Sequence, residues 1–151
     1  MMRWLELKIP PVGVGLLTAT LAWAGDTLGW LPVSLGLTPA VFIVTVGFVV
    51  AIAGVAAFRK AQTTVDPFNP NKASSLVTGG IYRHSRNPMY LGMLLVLMGW
   101  ALYLSDGLSL ALTLLFVPYM IRFQIKPEER VMREKFGEEF DRYCNAVRRW
   151  V

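Results

Sequence analysis

The chain has 151 residues, which is enough for a single domain, and its composition is unusually apolar. Hydrophobic residues make up 54% of it and charged residues only 17%. Soluble globular proteins average roughly 45–50% and about 25% in these two classes. The net charge of +5 would suit a nucleic-acid binder, but the placement of the basic residues favours a membrane protein instead.

Four apolar segments predict transmembrane helices, at about 9–24, 39–58, 88–104 and 107–123. Residues 39–58 are twenty consecutive positions without Asp, Glu, Lys, Arg or His. A helix of that length rises about 30 Å, which matches the hydrocarbon core of a bilayer. Trp23, Trp30 and Arg122 flank the two shorter segments as interfacial anchors do. We therefore predict an all-α, multi-pass membrane protein with one domain over 1–151.

The basic residues predict which way the helices cross the membrane. All 15 Lys and Arg residues lie before the first span, in the connection 59–87, or from the end of the fourth span onwards. The two opposite connections contain Asp26 and Asp106 but no basic residue. By the positive-inside rule, both termini and the connection 59–87 are expected to face the cytoplasm.

The sequence after the fourth span predicts an amphipathic helix over 127–148. Apolar residues recur there at helical spacing, with Glu, Arg and Lys between them. This pattern is typical of a helix that lies on the inner leaflet. The apolar positions are Met132, Phe136, Phe140, Tyr143 and Val147.

Polar residues concentrate in two clusters, at 82–90 and 122–130. The short turn at 105–107 predicts an antiparallel hairpin of the third and fourth helices, so both clusters should lie at the same membrane face. Each cluster also has a purely structural explanation. Asn87 and Pro88 suit the N-cap and first position of a helix, and Glu128 and Glu129 suit the first turn of the next one. Their convergence favours a functional site.

Three motifs span the region from about residue 63 to residue 150. They are Leu76-Val77-Thr78-x-Gly80-x-Tyr82, Arg86-Asn87-Pro88-x-Tyr90-x-Gly92, and Glu128-Glu129-x-x-Met132-x-x-x-Phe136-Gly137-x-x-Phe140-x-x-Tyr143. With this spacing and hydropathy, the chain resembles the integral membrane methyltransferases, which include isoprenylcysteine carboxyl methyltransferase and the phospholipid methyltransferases.

The resemblance implies that S-adenosylmethionine binds between the start of the third helix and the helix after the fourth span. It also implies a lipid or other apolar acceptor and no metal. Aromatic faces and carboxylates suit the sulfonium cation, and an amine acceptor would need a base. The implied cofactor-binding residues are Ser75, Leu76, Val77, Tyr82, Asn87, Pro88, Met89, Tyr90 and Glu128, and the candidate catalytic residues are Arg122, Glu128 and Glu129.

Two positions depart from the family pattern. Asn87 stands where the family usually has His in Arg-His-Pro. Gln124 stands four residues before the first glutamate, where the carboxyl methyltransferases place an arginine that can pair with the substrate carboxylate. Glutamine lacks the charge and the two-pronged geometry that arginine offers a carboxylate. We therefore expect an acceptor without a free carboxylate.

Two other functions are compatible with a small helical membrane protein. An intramembrane reductase would bind a nicotinamide cofactor in a similar cavity. A four-helix transporter of protons or cations would usually place an ionisable group inside a span, and none of the four segments contains Asp or Glu. The sequence also lacks the Gly-x-Gly-x-x-Gly turn of a soluble dinucleotide-binding fold.

Overall fold

The computed structural model describes residues 6–28, 36–62 and 74–151, and every secondary-structure element in this part of the chain is a helix. The predicted all-α class is confirmed. In chain order the helices are α1 (Pro11–Asp26), α2 (Leu37–Lys60), a 3₁₀ turn (Gly80–Arg83), α3 (Pro88–Leu104), α4 (Gly107–Met120), a π-helical turn (Ile121–Ile125), α5 (Lys126–Phe136) and α6 (Glu138–Ala146).

The contact between α2 and α3 is the most extensive of the described helix pairs, and glycines make it close. Gly47 of α2 lies directly against Gly92 of α3. Two helical turns away on each helix, Gly54 of α2 and Gly99 of α3 lie against other residues of the partner helix. A Cβ atom added at Gly92 would lie only 2.6 Å from the Gly47 carbonyl oxygen. Small residues at such an interface let two backbones approach, which is how helices pack in an apolar solvent.

The connection between α3 and α4 is a tight turn, as predicted. Ser105 adopts a left-handed backbone conformation with φ of 59°, and Asp106 caps α4 by accepting a hydrogen bond from the Ser109 backbone N–H at 2.9 Å. The Ser109 hydroxyl donates in turn to the Ala22 carbonyl of α1 at 2.8 Å. Helix α1 thereby packs against both members of the hairpin.

The surface of the helices is apolar. Large hydrophobic side chains are exposed on α1, α2 and α4, and Phe42 on α2 is 68% exposed. Soluble monomers rarely expose apolar patches of this extent, because burying apolar surface is the main favourable contribution to folding. Such a surface indicates a membrane location, where lipid chains cover it.

Among the described residues, two helices are long and apolar enough to cross a bilayer. They are Leu37–Lys60 and the continuous helix Gly107–Phe136, each of which contains an apolar stretch of 18 residues. Pro88–Leu104 is apolar but has 17 residues, and α1 has 16. The four-span arrangement therefore remains a prediction.

The segment after α4 differs from the prediction in two ways. The chain does not leave the helix near residue 123, but continues through the π-helical turn, where the Lys126 N–H bonds to the Ile121 carbonyl, into α5. The predicted single helix 127–148 is in fact two helices, α5 and α6. They are separated at Gly137, whose φ of 51° and ψ of −126° lie in a region that only glycine enters readily.

Candidate functional site

The start of α3 is held by contacts to the segment 147–151. Asn87 occupies the N-cap position and Pro88 begins the helix, as predicted, but the Asn87 side chain makes no capping hydrogen bond. Its Nδ2 donates instead to the Arg149 carbonyl at 3.0 Å, and its backbone N–H donates to the Ser85 hydroxyl at 3.1 Å. The interpretation of Asn87 as a side-chain cap is therefore wrong, because this amide joins two distant parts of the chain.

A buried cluster of three polar side chains lies where α3 meets the chain that follows α4. The Tyr90 hydroxyl donates to Glu128 Oε1 at 2.5 Å, and Gln124 Nε2 donates to the same oxygen at 2.6 Å. Tyr90 and Gln124 are only 8% and 3% exposed. Both donors bond to the same oxygen, so this cluster restricts the position of the Glu128 carboxyl group.

Glu129 belongs to a second cluster, together with two arginines. Arg86 Nη2 lies 2.8 Å from Glu129 Oε1, and Arg149 binds both oxygens, with Nε at 2.9 Å from Oε1 and Nη2 at 2.7 Å from Oε2. The Arg86 and Glu129 side chains are 12% and 13% exposed. Glu129 thus connects α5 to the start of α3 and to the segment 147–151.

Arg122 points to the N-terminal side of the structure. Its Nη1 lies 2.9 Å from Glu6 Oε1, and Arg130 Nη2 lies 2.6 Å from Glu6 Oε2. The two guanidinium groups lower the pKa of the Glu6 carboxyl below its usual value. The structure therefore places the three candidate catalytic residues, Glu128, Glu129 and Arg122, in three separate polar clusters.

Two tyrosines stand beside these clusters. Tyr82, in the 3₁₀ turn, is buried and packs edge-on against Phe58 of α2, with ring centroids 5.3 Å apart. The Tyr143 hydroxyl of α6 donates to the Tyr82 carbonyl at 2.8 Å. Burial raises the pKa of both hydroxyls well above the usual value. Both side chains are therefore neutral hydrogen-bond donors and not bases.

The remaining predicted cofactor-binding residues lie around the same end of α3. Pro88 is fully buried, and the side chain of Met89 lies against Gly54 of α2. Ser75, Leu76 and Val77 are half-buried in the strandless segment before the 3₁₀ turn. The Ser75 hydroxyl lies 3.5 Å from the Ala61 carbonyl at the end of α2.

Several residues of these clusters lie outside the predicted set of site residues. Among them, Glu6, Tyr143 and Arg149 contact predicted site residues that are 20 to 116 positions away along the chain. Tyr143 belongs to the third motif and to the predicted apolar face, but neither assigns it a role in the site. Neither Glu6 nor Arg149 belongs to a periodic pattern or a motif that would have indicated its partner.

The geometry suits a cationic ligand better than an anionic one. Glu128 accepts a hydrogen bond from the Tyr90 hydroxyl, and Gln124 donates to the same carboxyl oxygen, Oε1. Carboxylates and aromatic faces both stabilise sulfonium and ammonium groups. Since Tyr90 and Glu128 are in direct contact near the start of α3, the residues present fit a ligand of this kind.

Comparisons with known proteins show the family to which the chain belongs. The family model described as phospholipid methyltransferase matches residues 35–139. An uncharacterized protein of Haemophilus influenzae is 41% identical over 63 residues, which are 42% of this chain and all of that protein. A probable protein-S-isoprenylcysteine O-methyltransferase of Oryza sativa subsp. indica is 31% identical over 108 residues, which are 70% of this chain and 55% of that protein.

A Delta(14)-sterol reductase of Ascobolus immersus is 27% identical over 169 aligned residues, which cover 95% of this chain but 38% of that protein. The chain thus spans about half the length, or less, of the enzymes that it matches. No solved structure matches it. Since the family model covers more than two thirds of the sequence, including α2, α3, α4 and both glutamates of the site, the chain belongs to the phospholipid methyltransferase family.

Proposed function

We propose that this protein is an S-adenosylmethionine-dependent methyltransferase that acts in the membrane on a lipid or other apolar acceptor. The observation that carries the proposal is the buried Glu128 carboxylate, bonded to Tyr90 of α3 and to Gln124. Two motifs that are far apart in sequence meet at this contact. The family membership of the chain supports the same activity.

The residues around Glu128 can hold the cofactor by simple electrostatics. Glu128 would take the ammonium or sulfonium cation, and the faces of Tyr82 and Tyr90 would shield it from water. The half-buried segment of Ser75, Leu76 and Val77 would supply backbone groups to the nucleoside, with Asn87, Pro88 and Met89 closing the other side. When bound, the cofactor supplies an electrophilic methyl group.

Among the candidate catalytic residues, we propose that Glu128 accepts the acceptor's proton when the acceptor is an amine. Glu129 is less suited to this step, because two guanidinium groups stabilise its charged form and lower the pKa that a base requires. Arg122 is 41% exposed and paired with Glu6, so its role would be to contact the polar end of an acceptor at the membrane surface.

We propose that the acceptor reacts through an amine, thiol or hydroxyl and presents no free carboxylate. Gln124 donates to Glu128 at 2.6 Å, so this position adds no positive charge to the site. An acceptor carboxylate near Glu128 would meet a like charge, and Arg122 is already paired with Glu6, so desolvation of the acceptor carboxylate would be poorly compensated, at a cost of several kcal/mol. The substrate named for the rice relative is therefore not the one proposed for this chain.

We further propose four membrane spans with both termini on the cytoplasmic side. The charge distribution supports this orientation, and the cofactor is available only in the cytosol. The Glu128 cluster lies at the end of the bundle that carries Lys60, Arg83 and Arg86, which is the end expected to face the cytoplasm.

The test is calorimetric titration of the purified protein, in detergent or lipid nanodiscs, with S-adenosylhomocysteine. We expect binding by the wild type and an affinity about tenfold or more lower for Glu128→Gln, because that variant loses hydrogen bonds to a charged group. Glu134→Gln is the matched control, since it makes the same change at an exposed position of the same helix. Equal affinities for the two variants would refute the placement of the cofactor at Glu128.

A nicotinamide-dependent reductase is the second candidate, favoured by the match to a sterol reductase over 95% of this chain. The same titration with NADPH separates the two functions. Binding of NADPH, with no binding of S-adenosylhomocysteine by the wild type, would replace the methyltransferase proposal with the reductase.

A further inference from the structure

The segment 147–151 folds back over the start of α3 and is fixed there by backbone hydrogen bonds. The Arg86 N–H donates to the Arg148 carbonyl at 2.9 Å, and Arg86 Nη1 donates to the Val147 carbonyl at 2.8 Å. The Arg149 carbonyl accepts from Asn87 Nδ2 and from the Ser85 hydroxyl, at 3.0 and 3.2 Å. These bonds involve every residue of the chain from 85 to 87.

Side chains of the same segment reach the interior of the protein. The Trp150 ring packs against the core cluster that contains Tyr90 and Ile125. The Arg149 guanidinium forms a two-pronged ion pair with Glu129. Bidentate pairs of this kind fix relative orientation as well as distance, because the planar fork of arginine matches the carboxylate.

Glu129 is the neighbour of Glu128, and consecutive residues of a helix differ by about 100° in direction. The pair with Arg149 and Arg86 therefore fixes the rotation of α5 about its axis, and with it the direction of the Glu128 side chain. Arg86 precedes α3 and lies four residues before Tyr90 in the sequence. The same arginine thus bonds to α5 and to the segment 147–151.

We propose that Arg149 is a positioning residue, which acts through Glu129 to hold the Glu128 carboxylate against Tyr90. The proposal rests on the function proposed above, and it gives Glu129 a positioning role in place of proton transfer. The proposal predicts that ligand affinity depends on Arg149. This residue belongs to none of the three motifs above, and none of the described hydrogen bonds joins it to the Glu128 carboxylate.

The experiment measures S-adenosylhomocysteine affinity and thermal stability for four full-length proteins: the wild type, Arg149→Gln, Arg149→Lys and Arg148→Gln. We expect Arg149→Gln to bind about tenfold more weakly, by loss of an ion pair to a part-buried carboxylate. Lysine keeps the charge without the fork, so Arg149→Lys should recover part of the affinity. Arg148→Gln removes the same charge from an exposed neighbour and should bind like the wild type.

A Glu129→Gln variant shows whether Arg149 acts through that carboxylate. Adding Arg149→Gln to Glu129→Gln should weaken binding little further, since interacting positions are non-additive. A lower melting temperature with unchanged affinity in both Arg149 variants would mean that the segment only stabilises the fold, and would overturn the proposal. Additive losses would overturn the route through Glu129.

Should Arg149→Gln fail to fold, Arg149→Lys decides alone. A wild type that does not bind the ligand would refute the proposed function itself, and this inference with it.

Discussion

Gly92→Ala tests whether the glycine of the second motif is there for packing. The new Cβ would lie 2.6 Å from the Gly47 carbonyl oxygen and 2.7 Å from both the Cβ and the backbone N of Ala51. Two of these three atoms belong to the backbone of α2, so no side-chain rotation relieves the clash and the helices must separate. Overpacking of this kind costs roughly 1–3 kcal/mol, occasionally more. For a chain of this size, each kcal/mol lowers the melting temperature by about 2–4 °C.

Two control variants separate an effect on the melting temperature from an effect on ligand binding. Gly79→Ala meets nothing within 4 Å, so its melting temperature should equal that of the wild type. Gly99→Ala clashes with the Ala40 carbonyl at 2.8 Å, at the opposite end of the α2–α3 contact from Tyr90. We expect both Gly92→Ala and Gly99→Ala to lower the melting temperature in detergent, and only Gly92→Ala to weaken S-adenosylhomocysteine binding as well. A Gly92→Ala protein as stable as Gly79→Ala would refute the close approach of the two helices.

Three further predictions concern topology, pH and the acceptor. In a Cys144→Ser background, a membrane-impermeant thiol reagent added outside should label Tyr103→Cys but not Arg83→Cys, and the reverse pattern would contradict the orientation. The ion pairs that lower the pKa of Glu6 should stabilise the fold at neutral pH and be lost as the pH falls through that lowered pKa. The difference in melting temperature between the wild type and Glu6→Gln should therefore vanish in acid, and a constant difference would exclude the ion pair as its cause. In a turnover screen, lipid amines and apolar thiols should be methylated and prenylcysteine should not. Methylation of prenylcysteine would contradict the inference from Gln124.

Local sequence signals were sufficient for the start of α3 and for the closeness of the two polar clusters. The Asn87-Pro88 pair placed the start of α3 at the observed residue, and the short turn at 105–107 implied that the chain returns to the same end. The closeness of the clusters 82–90 and 122–130 could therefore be expected from the sequence, and the contact of Tyr90 with Glu128 is its structural detail. Apolar runs and turns are local, and each restricts the chain over only a few residues.

The break at Gly137 was missed because apolar periodicity continues across it. Phe136 and Phe140 keep the spacing of one helix, although the glycine between them has a positive φ. An isolated glycine in a helical pattern is compatible with a continuous helix and with a break, so its presence alone does not decide. The π-helical turn at Ile121–Ile125 was missed for a similar reason, since one extra residue in a turn leaves no clear mark on an apolar sequence.

The role of segment 147–151 could not be predicted, because it depends on backbone carbonyls. The carbonyls of Val147, Arg148 and Arg149 accept hydrogen bonds from the chain at 85–87, and every residue type presents the same acceptor. The need for these hydrogen bonds arises at their donor side, at Arg86. Arg86 enters a part-buried region with a charge and several donors, and a buried charge is tolerated only when it is paired and hydrogen-bonded. The Glu129 carboxylate accepts one hydrogen bond from Arg86, and backbone carbonyls of segment 147–151 accept others. Arg86 of the Arg-Asn-Pro motif can therefore be understood as the residue around which the site is assembled. The neighbouring Asn87 holds the same segment through its side-chain amide.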